Sequence, residues 1–462
     1  MVNRFIFGLL TFVFLICLGS KGYAGDNQDA DIFYKVTIEN PKESKINMVA
    51  IFKKLSDSDL IITEQTFSEY LNLSDLKSKN EAGESLTIDT TIGSAIGPER
   101  KYEQKVYKIK SKGVRNVIVE YSVKPGTLGK HGHRGYLDER FGLVNGEELF
   151  LFPIDESGIN EITVEFKLPQ GWDVVCPWRK EGNTFILDKN YHEHILNIND
   201  VLCEAVIGFG NFQMRQRNIN GFNIRIYAFS DWSDEHIHAI CEQAFRLIKY
   251  QLELFGINQK WDYVVIFVPY ASDKNRVFGG SWSFGQGFEM ETPTLRSWEL
   301  FSHRFHHVFN YYYPLGMYMI KRSSGWFTEA TASYYELQAL ANSGYYKLED
   351  RLPRLKGDYD SLKSKYDAPV SSEYKQRFQA MEYLHYTKAP LVAYLMDKKI
   401  KEDTKGKKDL DKFLKYIYSI HGAKRSAVNL EEELKQFTGI EFGDFFKKYV
   451  NGTESIEIGA KK

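Results

Sequence analysis

The spacing of the apolar residues changes once along this chain, and that change constrains the fold more than any other sequence feature. Before about residue 230 the apolar residues alternate, as in EITVEFKLPQGW (161–172) and FNIRIYAF (222–229), which is typical of half-buried strands. From SDEHIHAICEQAFRLIKYQLELFG (233–256) onward they recur every three or four residues, which is typical of amphipathic helices. A strand-rich region followed by a helix-rich region predicts an α+β multidomain protein.

The length of 462 residues also favours more than one domain, and 43% hydrophobic residues are enough to fill large cores. We predict an N-terminal β-sheet domain over residues 25–220, a mainly helical domain over 221–455 and a short tail over 456–462. Within the β region, Asn145-Gly146 followed by an apolar run predicts a two-residue hairpin turn.

Residues 1–24 have the pattern of a secretory signal peptide. Arg4 precedes an apolar run from Phe5 to Leu18, and Ala24 is a small residue at a suitable cleavage position. The apolar run is short for a membrane span, so cleavage is favoured over an uncleaved anchor. We therefore expect export to the periplasm or the outside, with no transmembrane span in the mature chain.

The charge balance and the cysteines exclude two further classes of protein. A formal net charge of −1 argues against a dedicated nucleic-acid binder, which needs a basic face. Beyond the signal peptide the chain contains Cys176, Cys203 and Cys241, and this odd number does not indicate a disulfide scaffold. A bridge between Cys176 and Cys203 stays open, as does the oligomeric state.

Two histidines four residues apart indicate a metal site. His303 and His307 lie in TLRSWELFSHRFHHVFNYYY (294–313), where helical spacing places both imidazoles on one face. Two nitrogens so placed can hold two corners of a zinc tetrahedron. A third ligand, Glu329, is available from the helical stretch GWFTEATASYYELQAL (325–340). On the same face, one turn before His303, Glu299 could orient that imidazole as an outer carboxylate.

Further motifs appear in a fixed order around this pair. They are FGGSWS (278–283), SHRFHHVFN (302–310), GWFTEATASYY (325–335), YTKAPLVAYLMDKKI (386–400) and FGDFFKKYVNGTE (442–454). Together they resemble the glycyl aminopeptidase family of zinc metallopeptidases, a branch of the gluzincins with a thermolysin-like catalytic domain. The resemblance extends over roughly residues 30 to 455. Because the chain ends soon after Glu454, we expect the PDZ module usual in that family to be absent.

The resemblance assigns roles to the matching residues. It implies that His303, His307 and Glu329 are zinc ligands, and that Tyr386 donates a hydrogen bond to the oxyanion of the reaction. It also implies that Gly279 and Gly280 lie in the substrate-binding segment.

Two residues depart from the family pattern. The family's general base is a glutamate after the first histidine, and here that position is Arg304, whose guanidinium cannot accept a proton. Zinc is the expected cofactor, but the positive charge beside it should weaken its binding, or abolish it, unless an anion lies between them. The glutamate that holds the substrate's amino group in the family is replaced by Trp282. General-base catalysis typically contributes about 10²–10⁴ in rate, so little hydrolysis is expected.

Three hypotheses follow for function. The first is an exported pseudopeptidase that keeps a zinc-site remnant and a cleft for a peptide or protein ligand. The second is an active zinc aminopeptidase with an atypical base. The third is a metal-free structural or partner-binding module, which an ion pair between Arg304 and Glu329 would favour.

Overall fold

The computed structural model describes most of the chain from residue 30 to residue 459. The described ranges are 30–53, 58–64, 72–96, 101–125, 135–188, 198–203, 205–258, 260–269, 285–290, 293–312, 325–375, 378–421 and 429–459. The predicted signal peptide and the segment containing Gly279, Gly280 and Trp282 lie outside these ranges.

The strands of the described residues form four sheets. In spatial order, the first contains β13 (Arg179–Glu181), β14 (Thr184–Asp188), β11 (Glu161–Lys167), β1 (Ile32–Thr37), β2 (Ile46–Lys53), β7 (Asn116–Val123) and β4 (Leu73–Asn80). The second contains β10 (Leu151–Pro153), β3 (Leu60–Glu64), β6 (Lys101–Ile109) and β5 (Ile88–Ile96). The third contains β12 (Asp173–Val175), β15 (Val206–Gly210), β9 (Phe141–Asn145) and β8 (Tyr136–Leu137). The fourth contains β16 (Phe212–Ile219), β17 (Phe222–Phe229), β18 (Trp261–Val268) and β19 (Gly285–Glu289).

Alternating apolar residues produce these strands as predicted. In β11, Ile162 and Val164 are fully buried, and the strand pairs in parallel with β1. Tyr34 of β1 is also buried, and its hydroxyl donates a hydrogen bond to the Leu151 carbonyl at 2.6 Å. This bond ties the first sheet to the second, because Leu151 belongs to β10.

The hairpin predicted at Asn145-Gly146 is wrong. β9 ends at Asn145 and pairs with β8 and β15, whereas β10 pairs with β3 in another sheet. A 3₁₀ turn, Gly146–Glu148, separates them, and the buried Glu148 carboxylate accepts from the Asn145 N–H at 2.9 Å. Glycine is required at position 146 because the backbone there passes close to the Leu202 carbonyl oxygen, which would lie only 1.8 Å from a Cβ.

The C-terminal region is mainly helical, which confirms the predicted fold class. Its helices, with a short helix from the N-terminal region, are α1 (Ile198–Cys203), α2 (Asp234–Phe255), α3 (Leu295–His307), α4 (Trp326–Asn342), α5 (Leu348–Tyr366), α6 (Phe378–Tyr383), α7 (Ala389–Asp403), α8 (Leu410–His421), α9 (Leu430–Thr438) and α10 (Gly443–Phe445). Three π-helical segments, Val308–Tyr312, Leu384–Lys388 and Phe446–Val450, follow α3, α6 and α10.

Helix α2 shows how local signals set the element bounds. Ser233 caps its start by accepting from the His236 N–H at 3.2 Å, and Gly256 ends it at a φ of +69°. The helix connects the parallel strands β17 and β18. β16 pairs with β17 across the predicted domain boundary at 220, so the fourth sheet spans that position.

The third and fourth sheets pack closely. A Cβ on Gly287 of β19 would lie 2.7 Å from a methyl of Leu143 in β9, so the Leu143 side chain packs directly against the Gly287 backbone. Cys176, Cys203 and Cys241 are buried and none of them is in a disulfide, so the Cys176–Cys203 bridge left open above is not formed. Of the helices in the described part of the chain, none has the length and apolar character needed to cross a membrane.

Candidate metal centre

Helix α3 presents the two predicted histidine ligands. Thr294 caps the helix by accepting from the Ser297 N–H at 3.2 Å, which sets where the helical turns begin. His303 and His307 are one turn apart and buried, and their Nε2 atoms lie 3.0 Å from each other. The two nitrogens therefore point to a common position.

Helix α4 packs beside α3 and brings the third predicted ligand to the same position. Glu329 Oε2 lies 3.4 Å from His303 Nε2 and 3.5 Å from His307 Nε2. The ligand atoms of the three residues all lie within 4.8 Å of one another. In a tetrahedral site with bonds of 2.0–2.1 Å, adjacent ligand atoms are roughly 3.3 Å apart. The donor set and its spacing therefore fit a zinc ion.

The state of the Glu329 carboxylate supports that fit. Its Oε2 is buried and has no hydrogen-bond partner among the described residues, although it faces the two imidazole nitrogens. Burial raises the pKa of Glu329, but the charge of His307 and the close contacts of the His303 and His307 nitrogens outweigh it and hold the pKa well below its usual range. A buried, ionised oxygen that lacks a donor is suited to a cation.

Partners on the far side of each ring orient the imidazoles. His307 Nδ1 lies 3.0 Å from Asn310 Oδ1, and Asn310 Nδ2 donates to the Thr328 carbonyl at 2.9 Å. When Nδ1 carries the proton and donates it to Asn310, the Nε2 lone pair is left for a metal. Asn310 belongs to the π-helical segment that follows α3, and such segments are frequent at functional sites.

The carboxylate that approaches His303 is Glu336 and not Glu299, which corrects the prediction for the outer carboxylate. Glu336 Oε2 and Ser333 Oγ each lie 3.4 Å from His303 Nδ1. Glu299 is instead 3.0 Å from Arg351 and 3.2 Å from Arg296. Its carboxylate is drawn to these two cations, away from the ring.

Sequence reasoning missed Glu336, Ser333 and Asn310. Ser333 and Glu336 follow Glu329 by four and seven positions, so they lie on the same face of α4. Asn310 follows His307 by three positions and is within reach along the helix. Helical spacing from the predicted ligands would have found all three.

Electrostatic coupling distinguishes the two ligand histidines. Burial lowers the pKa of His303, but the neighbouring carboxylates of Glu329 and Glu336 outweigh it and raise the pKa above its usual value. Burial lowers the pKa of His307, and the influence of Glu329 is not enough to reverse this. The imidazole flanked by two carboxylates is therefore the more basic of the pair.

Arg304 lies next to His303 in α3 and is half-buried. Its positive charge acts on the His307 imidazole and on the Tyr386 phenol, lowering the pKa of each below what burial and the carboxylates alone would give. The Glu329 carboxylate lies against the two imidazole nitrogens.

Tyr386, the predicted oxyanion donor, lies beside the ligand set. It belongs to the π-helical segment Leu384–Lys388, and its ring centroid is 5.5 Å from that of His303. The side chain is 42% exposed, so a ligand can reach it. Partial burial and the Glu329 charge raise the pKa of Tyr386 to about 12. The phenol therefore keeps its proton at neutral pH and is available as an O–H donor.

Part of the N-terminal region is similar to the N-terminal domain of a known peptidase family. Residues 84–195 match the Peptidase M61 N-terminal domain. No curated protein sequence matches this chain.

Solved structures are similar over nearly the whole chain. An aminopeptidase N family protein from Idiomarina loihiensis has a TM-score of 0.71 and 17% identity, covering 92% of this chain and 77% of its own. An M1 zinc metallopeptidase from Deinococcus radiodurans has a TM-score of 0.56 and 12% identity, covering 93% and 95%. A mutant of that enzyme bound to a Tyr-Ser-Ala substrate has a TM-score of 0.52 and 11% identity, covering 93% and 95%. These matches confirm the predicted fold, a β-sheet region followed by a mainly helical region, which the chain shares with these zinc metallopeptidase structures.

Proposed function

We propose that this chain is an exported protein with a metallopeptidase fold that binds zinc and a peptide ligand but hydrolyses peptides slowly or not at all. The observation that carries the proposal is a converged set of His303, His307 and Glu329 beside a guanidinium, Arg304. The signal-peptide pattern of residues 1–24 supports export to the periplasm or the outside. The Tyr-Ser-Ala complex of the similar Deinococcus enzyme supports a peptide as the ligand.

The chain's own groups determine what such a site can do. Zinc, when bound, polarises a carbonyl oxygen and makes water a stronger acid. Tyr386 holds a proton at neutral pH and can donate a hydrogen bond to a developing oxyanion. Arg304 stands at the position where the family has a proton acceptor, and a guanidinium cannot take a proton from water. Binding and polarisation are retained, whereas proton transfer lacks its acceptor.

A second candidate is an active zinc peptidase with an unusual base. The intact ligand set and the O–H donor Tyr386 favour it. The metal-free module is less supported, because Glu329 lies against the two imidazole nitrogens, where it can serve as the third ligand.

Zinc content and peptide turnover test the proposal together. The purified protein is loaded with zinc, its metal content is measured, and hydrolysis of a panel of short peptides is followed. Arg304→Glu is measured alongside, with Arg304→Gln as a matched control that removes the charge without adding a base. We expect one zinc per chain and no turnover above background, with partial recovery at most in Arg304→Glu.

Other outcomes would select another candidate. Turnover by the unmodified protein that a chelator abolishes would support the active peptidase. Absence of zinc at saturating concentrations would support the metal-free module. The N-terminal residue of the exported protein, read by mass spectrometry, tests the predicted cleavage after Ala24.

A further inference from the structure

A fully buried lysine follows Tyr386 closely in the chain. Lys388 is the last residue of the π-helical segment Leu384–Lys388, and its side chain has no exposed surface. Its ammonium group donates to Asp367 Oδ1 and to the Ala368 carbonyl, both at 2.6 Å. A lysine charge is costly to bury unless a carboxylate pairs with it and its hydrogen bonds are satisfied. The Lys388 ammonium is therefore stable in this place only while Asp367 stays beside it.

The ion pair connects the π-helical segment to helix α5. Asp367 is the residue directly after the end of α5, and its carboxylate is mostly buried. A second contact with α5 lies just before the segment begins, where the Tyr383 ring stacks on the ring of Tyr359. The two ring centroids are 6.2 Å apart and the rings are inclined by only 13°. Helix α5 therefore holds the segment at both ends.

The middle of the segment is tied to α4, the helix that supplies the carboxylate ligand. Ser333 of α4 donates from its Oγ to the His385 carbonyl at 3.4 Å, and the same Oγ lies 3.4 Å from His303 Nδ1. His385 and Lys388 are buried, whereas Tyr386 between them is 42% exposed. The buried neighbours thus hold the backbone of the segment, and the phenol is left accessible beside the ligand set.

We propose that the ion pair of Lys388 and Asp367 is a positioning device that keeps the Tyr386 phenol beside the metal position. A hydrogen-bond donor stabilises an oxyanion only when it is held at a fixed place, and the buried contacts of the segment supply that constraint. Lys388 acts through the backbone of the segment, because its ammonium is already engaged by Asp367 and the Ala368 carbonyl. The proposal rests on the proposed function in that it takes a metal ion to bind at the ligand set.

Cobalt(II), bound in place of zinc, reports where Tyr386 lies. A fluorine label is placed on the Tyr386 ring of the full chain, and its nuclear magnetic resonance signal is recorded before and after cobalt is added. A paramagnetic ion broadens the signal of a nearby fluorine, and this effect falls steeply with distance. We expect strong broadening in the otherwise unmodified protein, because the Tyr386 ring centroid lies 5.5 Å from that of the ligand His303.

Variants on both sides of the ion pair test its role. Lys388→Met removes the ammonium group and keeps a side chain of similar length. The labelled variant should lose most of the cobalt broadening while it still binds one cobalt ion per chain. Asp367→Asn should cause a smaller loss, because its amide oxygen still accepts a hydrogen bond. Lys399→Met is the matched control, since it breaks a partly exposed pair of α7, Lys399 with Asp403 at 2.5 Å, and should leave the broadening unchanged.

Hydrogen exchange of the metal-free protein separates a local effect from a global one. In Lys388→Met the amides of Leu384–Lys388 should exchange about 10- to 100-fold faster, as expected for the loss of charge-assisted hydrogen bonds. The amides of α8 should change less, because α8 is not held by this ion pair. An increase of equal size in all helices would show that Lys388 stabilises the whole fold and does not position Tyr386. If Lys388→Met does not fold, Asp367→Asn supplies both measurements.

The results separate this proposal from the proposed function. Undiminished broadening in a folded Lys388→Met that binds cobalt overturns the positioning role and leaves the metal site standing. Weak broadening in the otherwise unmodified protein with cobalt bound overturns it as well, because Tyr386 would then lie away from the metal. Loss of the metal from a folded Lys388→Met would show that the pair holds the ligand set instead of Tyr386. Absence of metal from the unmodified protein overturns the proposed function, and the exchange rates of the metal-free protein then test the positioning role by themselves.

Discussion

His306 and His307 are adjacent in α3 and both are buried, yet they lie in different kinds of site. His307 Nε2 faces His303 and Glu329. One residue earlier, about 100° around the helix, His306 Nδ1 lies 2.9 Å from Gln251 Oε1. Its ring stacks on Tyr335 at a centroid distance of 5.5 Å. A buried histidine is therefore a ligand candidate only where a second nitrogen and a carboxylate share its position.

The pKa directions support the same distinction. Burial, together with the neighbouring His307 and His303, lowers the pKa of His306 well below 6.5, and the Glu329 charge does not offset them. Two carboxylates outweigh burial at His303 and raise its pKa. We interpret His306 as a neutral residue that packs between helices. The substitutions below should show that it does not contribute to zinc binding, whereas His303, His307 and Glu329 do.

The largest effect is expected from removing a ligand. Glu329→Gln, His303→Ala or His307→Ala should abolish high-affinity zinc binding, because two remaining donors do not make a site. Zinc should raise the melting temperature of the unmodified protein, since a ligand bound only by the folded state stabilises it, and this increase should vanish in the variants. His306→Gln serves as the control and should keep the increase. An increase that persists without Glu329 would place the metal elsewhere.

Glu336→Gln is expected to have the next largest effect. It removes the charge beside His303 Nδ1 while keeping a hydrogen-bonding group of similar size. Loss of such an outer partner typically lowers metal affinity about 10- to 100-fold. Competition with a chromogenic chelator measures the change. Glu299→Gln is the matched control, and a larger loss there than at Glu336 would restore Glu299 as the orienting carboxylate.

His306→Gln should reduce stability and leave zinc binding intact. The change removes the Gln251 contact and the stacked ring, and a buried hydrogen bond that loses its partner costs about 1–3 kcal/mol. Urea unfolding of the metal-free protein measures the difference. If a well-folded His306→Gln variant failed to bind zinc, the assignment of His306 to packing and of His307 to the metal site would be wrong.

The smallest effect is expected in the pH dependence of that stability difference. The folded-state pKa of His306 is depressed, so its contribution is fully present above 6.5 and is lost as pH falls from 6.5 toward the folded pKa. In that window the unfolded chain takes up a proton that the folded chain does not. The advantage of the unmodified protein over His306→Gln should shrink by roughly 1.4 kcal/mol per pH unit. An advantage that grows on acidification would show that His306 is protonated in the folded state.

The parts of the site that lie along single helices could be predicted from the sequence. His303 and His307 share a face because of their spacing, and Thr294 and Ser233 mark helix starts through their side-chain caps. The change in the spacing of apolar residues near residue 230 likewise predicted that sheets precede helices along the chain. These features depend on neighbours within a few residues.

The remaining features depend on how separate elements pack. Glu299 has the helical spacing of an orienting carboxylate, but Arg351 from α5 binds it, and α4 supplies Glu336 in its place. Asn145-Gly146 has the composition of a hairpin turn, but Glu148 and the Leu202 carbonyl require a different path for the chain. The local sequence does not show that Arg351 would bind Glu299 or that the Leu202 carbonyl would lie against Gly146.

The central claim is that His303, His307 and Glu329 form a zinc site beside Arg304, and metal content tests it most directly. The purified protein is stripped with a chelator, re-equilibrated with saturating zinc, freed of excess ion and measured by mass spectrometry of the elements. We predict one zinc per chain. A zinc content near zero for the folded protein would contradict the account.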